Sequence, residues 1–135
     1  SPFLQTVDQT GRQRIRNHHA CIAALAVDND FQIAILRRVL AARAVQDTRY
    51  KGTGVTCNAR LPSAMLRRVC RLAPDADRVL RGAFERMGLS ARAYDRVLKV
   101  SRTIADLAGS ERIEAEHVRE AVQYRNLDRK YWYTA

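Results

Sequence analysis

The stretch GLSARAYDRVLKVSRTIADLAG, residues 88–109, decides the fold. Gly88 ends whatever precedes it, because two hydrogens on Cα open the left-handed turn that stops a helix. Ser90 is a good N-cap, its hydroxyl able to accept from a free backbone N–H of the first turn. From there Tyr94, Val97, Leu98, Ser101, Ile104, Ala105 and Ala108 recur at three- and four-residue steps, the period of one helical face. Gly109 closes the pattern. The spacing predicts an amphipathic helix whose apolar side must be covered by neighbouring elements.

Working outward, the neighbours also read as helices. Upstream, Pro74-Asp75 starts a helix with Ala76, Val79, Leu80, Phe84 and Met87 on one face, and Asp75 and Asp77 in the first turn, where the helix dipole favours acids. Before it, Pro62 suits a first helical turn, and Met65, Leu66, Val69 and Cys70 give a short stripe of about ten residues. A longer helix spans Phe31 to about Thr48, with Phe31, Ile35, Val39, Ala42 and Val45 at helical spacing; Lys51-Gly52-Thr53-Gly54 breaks it. Downstream, a last helix runs from about Ala115 to Arg129, with Val118, Ala121, Val122 and Leu127 inward. The alanine-rich run Ala20 to Val27 belongs to a further helix over about 14–27, and Asn29 or Asp30 starts the next. No segment alternates with period two long enough for a sheet. The expected fold is all-α, a small bundle of four to five helices plus an N-terminal helix.

At 135 residues, 47% hydrophobic and 28% charged, the chain has the composition of one globular domain and can bury a core. Its 24 Lys+Arg against 14 Asp+Glu leave a net charge of +10, which favours an anionic partner. The excess is uneven. In residues 1–36, Arg12, Arg14 and Arg16 cancel Asp8, Asp28 and Asp30, so all ten charges fall in residues 37–135. This division separates an atypical N-terminal segment, 1–36, from a helical domain, 37–135. Cys21, Cys57 and Cys70 are an odd number without CxxC spacing, which indicates neither a disulfide framework nor a zinc knuckle and fits a reducing cytoplasm. No apolar run approaches the roughly 20 residues of a membrane span, and Ser1-Pro2-Phe3-Leu4 lacks the order of a signal peptide. A start without Met fits a fragment of a longer protein.

The residues exclude some chemistry outright. A phosphate-binding P-loop needs GxxxxGK[ST], yet Gly52 is followed five residues later by Cys57, and Gly82 by Met87. The chain alone is therefore no P-loop ATPase, and no catalytic residue is assigned. His18-His19-x-Cys21 offers three donors in four residues, whereas tetrahedral metal sites draw on separated pairs, so no metal is assigned. His117, beside Glu116, reads as a surface residue or a helix cap. The most specific feature is again in the quoted stretch. Ser90 places Arg92 in a first helical turn, where unpaired backbone N–H groups already attract anions, and Arg92, Arg96 and Lys99 follow at steps of four and three along one face. That arrangement can hold a phosphate; it is also what the solvated face of an ordinary amphipathic helix carries.

Residues from about Leu36 to Tyr131 resemble the C-terminal helical domain of the magnesium-chelatase-like AAA+ ATPases, in the ComM/YifB-like competence family. The resemblance is carried by VLAARAVQ (39–46), CNARL (57–61), GLSARAYDRVLKVSRTIAD (88–106), LAGSERI (107–113), Glu116-His117-Val118, AVQYR (121–125) and Leu127-Asp128-Arg129. It implies the helical lid of a hexameric motor that couples ATP hydrolysis to DNA branch migration during natural transformation. The lid closes over ATP held by a separate P-loop core, and an arginine at the start of a lid helix, the sensor-2 residue, contacts the phosphates. Arg92 stands at the matching position, with Ser90, Arg96 and Lys99 as further cofactor-binding candidates. The implied partners are the AAA+ core or a neighbouring subunit of a homo-oligomer, with DNA as a further partner. Residues 1–35 do not resemble the nucleotide-binding core expected there, so no ATP hydrolysis is expected of the chain by itself.

Two other functions fit the same residues. A free-standing basic module could bind the DNA backbone directly, with affinity falling steeply as salt rises. An assembly element could use Tyr131-Trp132-Tyr133 as an aromatic contact. With 21 of the 24 cations arginine, a genome rich in arginine codons also accounts for part of the charge.

Overall fold

Five helices follow one another among the described residues: α1 (Asn29–Tyr50), α2 (Ser63–Val69), α3 (Pro74–Met87), α4 (Ala91–Leu107) and α5 (Ala115–Trp132). A one-turn 3-10 helix, Asn58–Arg60, sits between α1 and α2. This is a computed structural model; it describes the backbone of residues 29–132 and the side chains of residues 29–125. The helix expected over 14–27 and the aromatic cluster Tyr131-Trp132-Tyr133 lie outside what is described in full. Val39–Ala135 forms one compact unit, and the chain up to Arg38 belongs to another.

Within the 39–135 unit, α4 packs along α5, α3 also packs on α5, and α2 and the 3-10 turn rest against α4. The core gathers Leu61, Leu66, Leu80, Val97, Leu98, Ile113 and Val118, with alanines at 73, 76, 105 and 121 letting the helices approach. Tyr94 and Ile104 flank it half-buried. Phe84 and Tyr94 meet edge to face, centroids 5.7 Å apart at 87°, tying α3 to α4 in the arrangement favoured by the ring quadrupoles. Both ends of α3 are as the residue types require. Pro74 stands in the first turn after Ala73, and Gly88 adopts φ 58°, ψ 43° at the stop, its N–H and that of Leu89 reaching the Phe84 carbonyl.

Three expectations need correction. In α1 the inward residues are Ala42, Gln46 and Tyr50, whereas Phe31, Ile35, Val39 and Val45 are exposed. Polar Gln46 and Tyr50 can be buried because Asn58 satisfies them: Gln46 Oε1 accepts the Asn58 backbone N–H at 3.0 Å, and the Tyr50 hydroxyl donates to Asn58 Oδ1 at 2.6 Å. In α2, Pro62 is the N-cap rather than a first-turn residue, and the helix ends at Val69, shorter than its apolar stripe. The chain there turns to pair with the α4–α5 loop: the Ala73 N–H donates to the Ile113 carbonyl, and the Ile113 N–H to that of Arg71, both at 3.0 Å. In α4, Ala108 is exposed at the C-cap, while Arg102 and Asp106 are buried.

Candidate functional site

The N-terminus of α4 is built by two residues. Gly88 turns the chain out of α3, and Ser90, extended at φ −71° and ψ 161°, caps α4 by accepting the Ala93 N–H on Oγ at 3.2 Å. Arg92 therefore stands at the second position of a helix whose first N–H groups face outward. Arg92 and Arg96 are exposed and Lys99 is half-buried, all three on one side of α4; none forms a side-chain hydrogen bond or ion pair with another described residue. Asp95, between them in sequence, is engaged at the start of α2, accepting from Ser63 Oγ at 2.9 Å. The described surface thus holds uncommitted cations beside a helix N-terminus, an arrangement able to bind phosphate oxygens.

A second polar cluster, unforeseen from the sequence, lies inside the same helix bundle. The Asp106 carboxylate is fully buried. Arg49 grips it with both amino groups, Nη2 to Oδ1 at 2.6 Å and Nη1 to Oδ2 at 2.9 Å. Arg102, one helical turn before Asp106, donates Nε to Oδ1 at 3.2 Å and spends its other nitrogens on the Glu111 and Ser110 carbonyls at 2.8 and 2.7 Å. Asn58 completes the shell, donating Nδ2 to Asp106 Oδ2 at 2.9 Å and to Thr103 Oγ1 at 3.0 Å. Burial pushes the Asp106 carboxyl up, but hydrogen bonds from Arg49 and Asn58 and the charges of Arg102 and Arg49 outweigh it and hold the group below its ordinary value. The Asp106 bonds raise Arg49 further above its normal range. One signal of this cluster was present in the sequence: Tyr94, Leu98, Arg102 and Asp106 form a single i, i+4 row that continues the apolar face.

His117 is 4% exposed, which corrects its reading as a surface residue; its other reading, a cap, is what it does. At the third position of α5, its Nδ1 accepts the Glu114 backbone N–H at 3.0 Å, the reciprocal half of a capping box. Cys57 is half-buried and Cys70 buried, both unpaired with sulfur. Among the described residues no group of His, Cys, Asp or Glu is placed to hold a metal ion, and no helix is long and apolar enough to cross a membrane. His18, His19 and Cys21 lie outside the described residues.

The family described as magnesium chelatase, subunit ChlI C-terminal, matches residues 32–125. Relatives agree with it. The chain is 38% identical to the protein YifB of Escherichia coli K12 over 108 residues, 80% of this chain and 21% of the relative. It is 41% identical to the competence protein ComM of Haemophilus influenzae over 95 residues, 70% of this chain and 18% of the relative. It is 33% identical to the protein Mb2921c of Mycobacterium bovis over 125 residues, 92% of this chain and 24% of the relative. The chain thus spans about a fifth of the length of these curated relatives. A match over residues 32–125, together with identities of this order along most of the chain, establishes the family. The chain belongs to the magnesium chelatase subunit ChlI C-terminal family, as a ComM/YifB-like C-terminal domain.

Proposed function

We propose that this chain is the helical lid of a ComM/YifB-like AAA+ ATPase, and that Arg92 is its sensor-2-type arginine, contacting the phosphates of ATP held on a separate P-loop core. The observation that carries this reading is the placement of Arg92: exposed, uncommitted, and at the second position of a Ser-capped helix in a domain of this family. A guanidinium there supplies fixed donors to phosphate oxygens and stabilises the charge that builds on them during phosphoryl transfer. Arg96 and Lys99, one and two turns further along the same side, add positive potential, and Ser90 acts by fixing where the helix begins. The proposal extends to the wider role. With about four fifths of each relative outside the match, the core is a partner joined in sequence or supplied by a neighbouring subunit. The assembled motor acts on DNA, a reading supported by the net charge of +10 and by a relative named as a competence protein.

The test joins this chain to a P-loop core from a ComM/YifB-like protein and measures ATP turnover. Arg92→Ala should lower turnover on the order of a hundredfold. Arg92→Lys should recover part of it, because an ammonium keeps the charge but loses the planar fork. Urea midpoints should be the same for all three, as Arg92 is exposed and makes no side-chain hydrogen bond or ion pair with another described residue. Unchanged turnover in Arg92→Ala would remove the sensor role.

A further inference from the structure

Next to the buried Asp106 cluster, the 39–135 unit opens into a cleft of about 600 Å³. Its floor holds Arg49, Arg102 and Asp106, so two guanidiniums share one carboxylate and one positive charge stays uncompensated. Arg49 directs three N–H bonds to Asp106 and Asn58 among the described residues, and its side chain keeps 20% of its surface open. Arg68 and Arg71, both exposed, add two more cations on the α2 side; among the described residues Glu111 is the only other charged one in the lining. Four arginines against two carboxylates make the lining net +2. Val45, Met65 and Val69 give the lining an apolar part, beside the uncharged Thr53, Gly109 and Ser110.

Partly desolvated positive charge without a counter-ion is costly, and an anion seated against it recovers that cost. The apolar wall offers a surface for a planar or sugar-like group attached to the anion. We infer that this cleft binds a nucleotide through its phosphate, with Arg49, Arg68 and Arg71 as the phosphate ligands and Met65 and Val69 against the base or sugar. The nucleotide is either free or one unit of a single strand, since both present the same phosphate chemistry. The site is separate from Arg92, which does not line the cleft, and it stands independently of the lid reading.

The experiment titrates the purified chain with AMP and with a short thymidine oligonucleotide, by calorimetry and by amide chemical shifts. Saturable binding of either should move the amides of Arg68, Arg71, Gly109 and Ser110. An Arg68→Ala/Arg71→Ala double variant should bind at least about tenfold more weakly. Arg60→Ala/Arg119→Ala removes the same charge from exposed positions outside the cleft and should bind as the parent does. Binding of AMP identifies a free nucleotide as the ligand; binding of the oligonucleotide alone identifies a strand. No saturable binding of either, or an equal loss in the two double variants, overturns the site. If cleft binding is present while Arg92→Ala leaves the ATPase of the joined protein unchanged, the lid reading fails and the cleft stands; the opposite pattern does the reverse.

Discussion

Asp106 sits where the buried polar bonds of this domain converge, and its removal should be felt more than that of any exposed charge. Asp106→Ala leaves Arg102, 2% exposed, and Arg49 without their carboxylate, and uncompensated buried charge costs on the order of 3–5 kcal/mol. Urea unfolding should show that loss, with Asp106→Asn also destabilised because a neutral amide cannot serve both guanidiniums. The pH dependence has a definite sign. Asp106 is held lower in the folded chain than in the unfolded one, so the folded state binds fewer protons in the acid range. Its contribution to stability is complete above the unfolded carboxyl value of about 3.9 and is lost as pH falls through the folded value. An acid titration of stability should therefore flatten below about pH 4 in Asp106→Asn relative to the parent. At this scale the sequence was half legible. Arg92 could be placed from Ser90 two residues before it, whereas Arg49 and Asn58 reach Asp106 only across 57 and 48 residues, which no local spacing encodes.

The junction between α3 and α4 can be read entirely from its own residues, because caps depend on backbone conformation within a few positions. Gly88 holds φ 58°, and a Cβ there meets nothing within 4 Å, so Gly88→Ala costs backbone strain alone, about 1 kcal/mol. Ser90→Ala removes the acceptor for the Ala93 N–H and should cost about 1 kcal/mol as well. Thermal or urea midpoints of the two single variants and the double variant check both values. α1 shows where an element escapes its own pattern. Its apolar spacing selects Phe31, Ile35, Val39, Ala42 and Val45, yet of these only Ala42 is buried, and Gln46 and Tyr50 join it because Asn58 offers partners to the polar pair. Helical period was enough to find the helix; which side faces inward depends on what the rest of the fold presents.

For the molecule as a unit, the buried thiol of Cys70 reports on whether the core is closed. Burial pushes its pKa up to about 11, an effect that the nearby Arg102 and Arg49 charges oppose and do not cancel. At pH 8 in the folded protein it should resist alkylation while half-buried Cys57 reacts, and in denaturant the two should react alike; mass mapping in a Cys21→Ser background reads this out. Early reaction of Cys70 would mean that the bundle opens without global unfolding. The sequence by itself determined the all-α class, the order and most limits of the helices, the cap at Ser90 and the family, because periodicity, caps and a long run of matching residues are written along the chain. Only the tertiary structure decided the inward side of α1, the halt of α2 at the Ile113 pairing, the burial of His117, and the assembly of Arg49, Asn58, Arg102 and Asp106 beside a cationic cleft. The physical reason is common to all four: each depends on packing or a partner supplied by a distant segment, for even His117, whose own hydrogen bond to Glu114 is local, is buried only by what packs over α5.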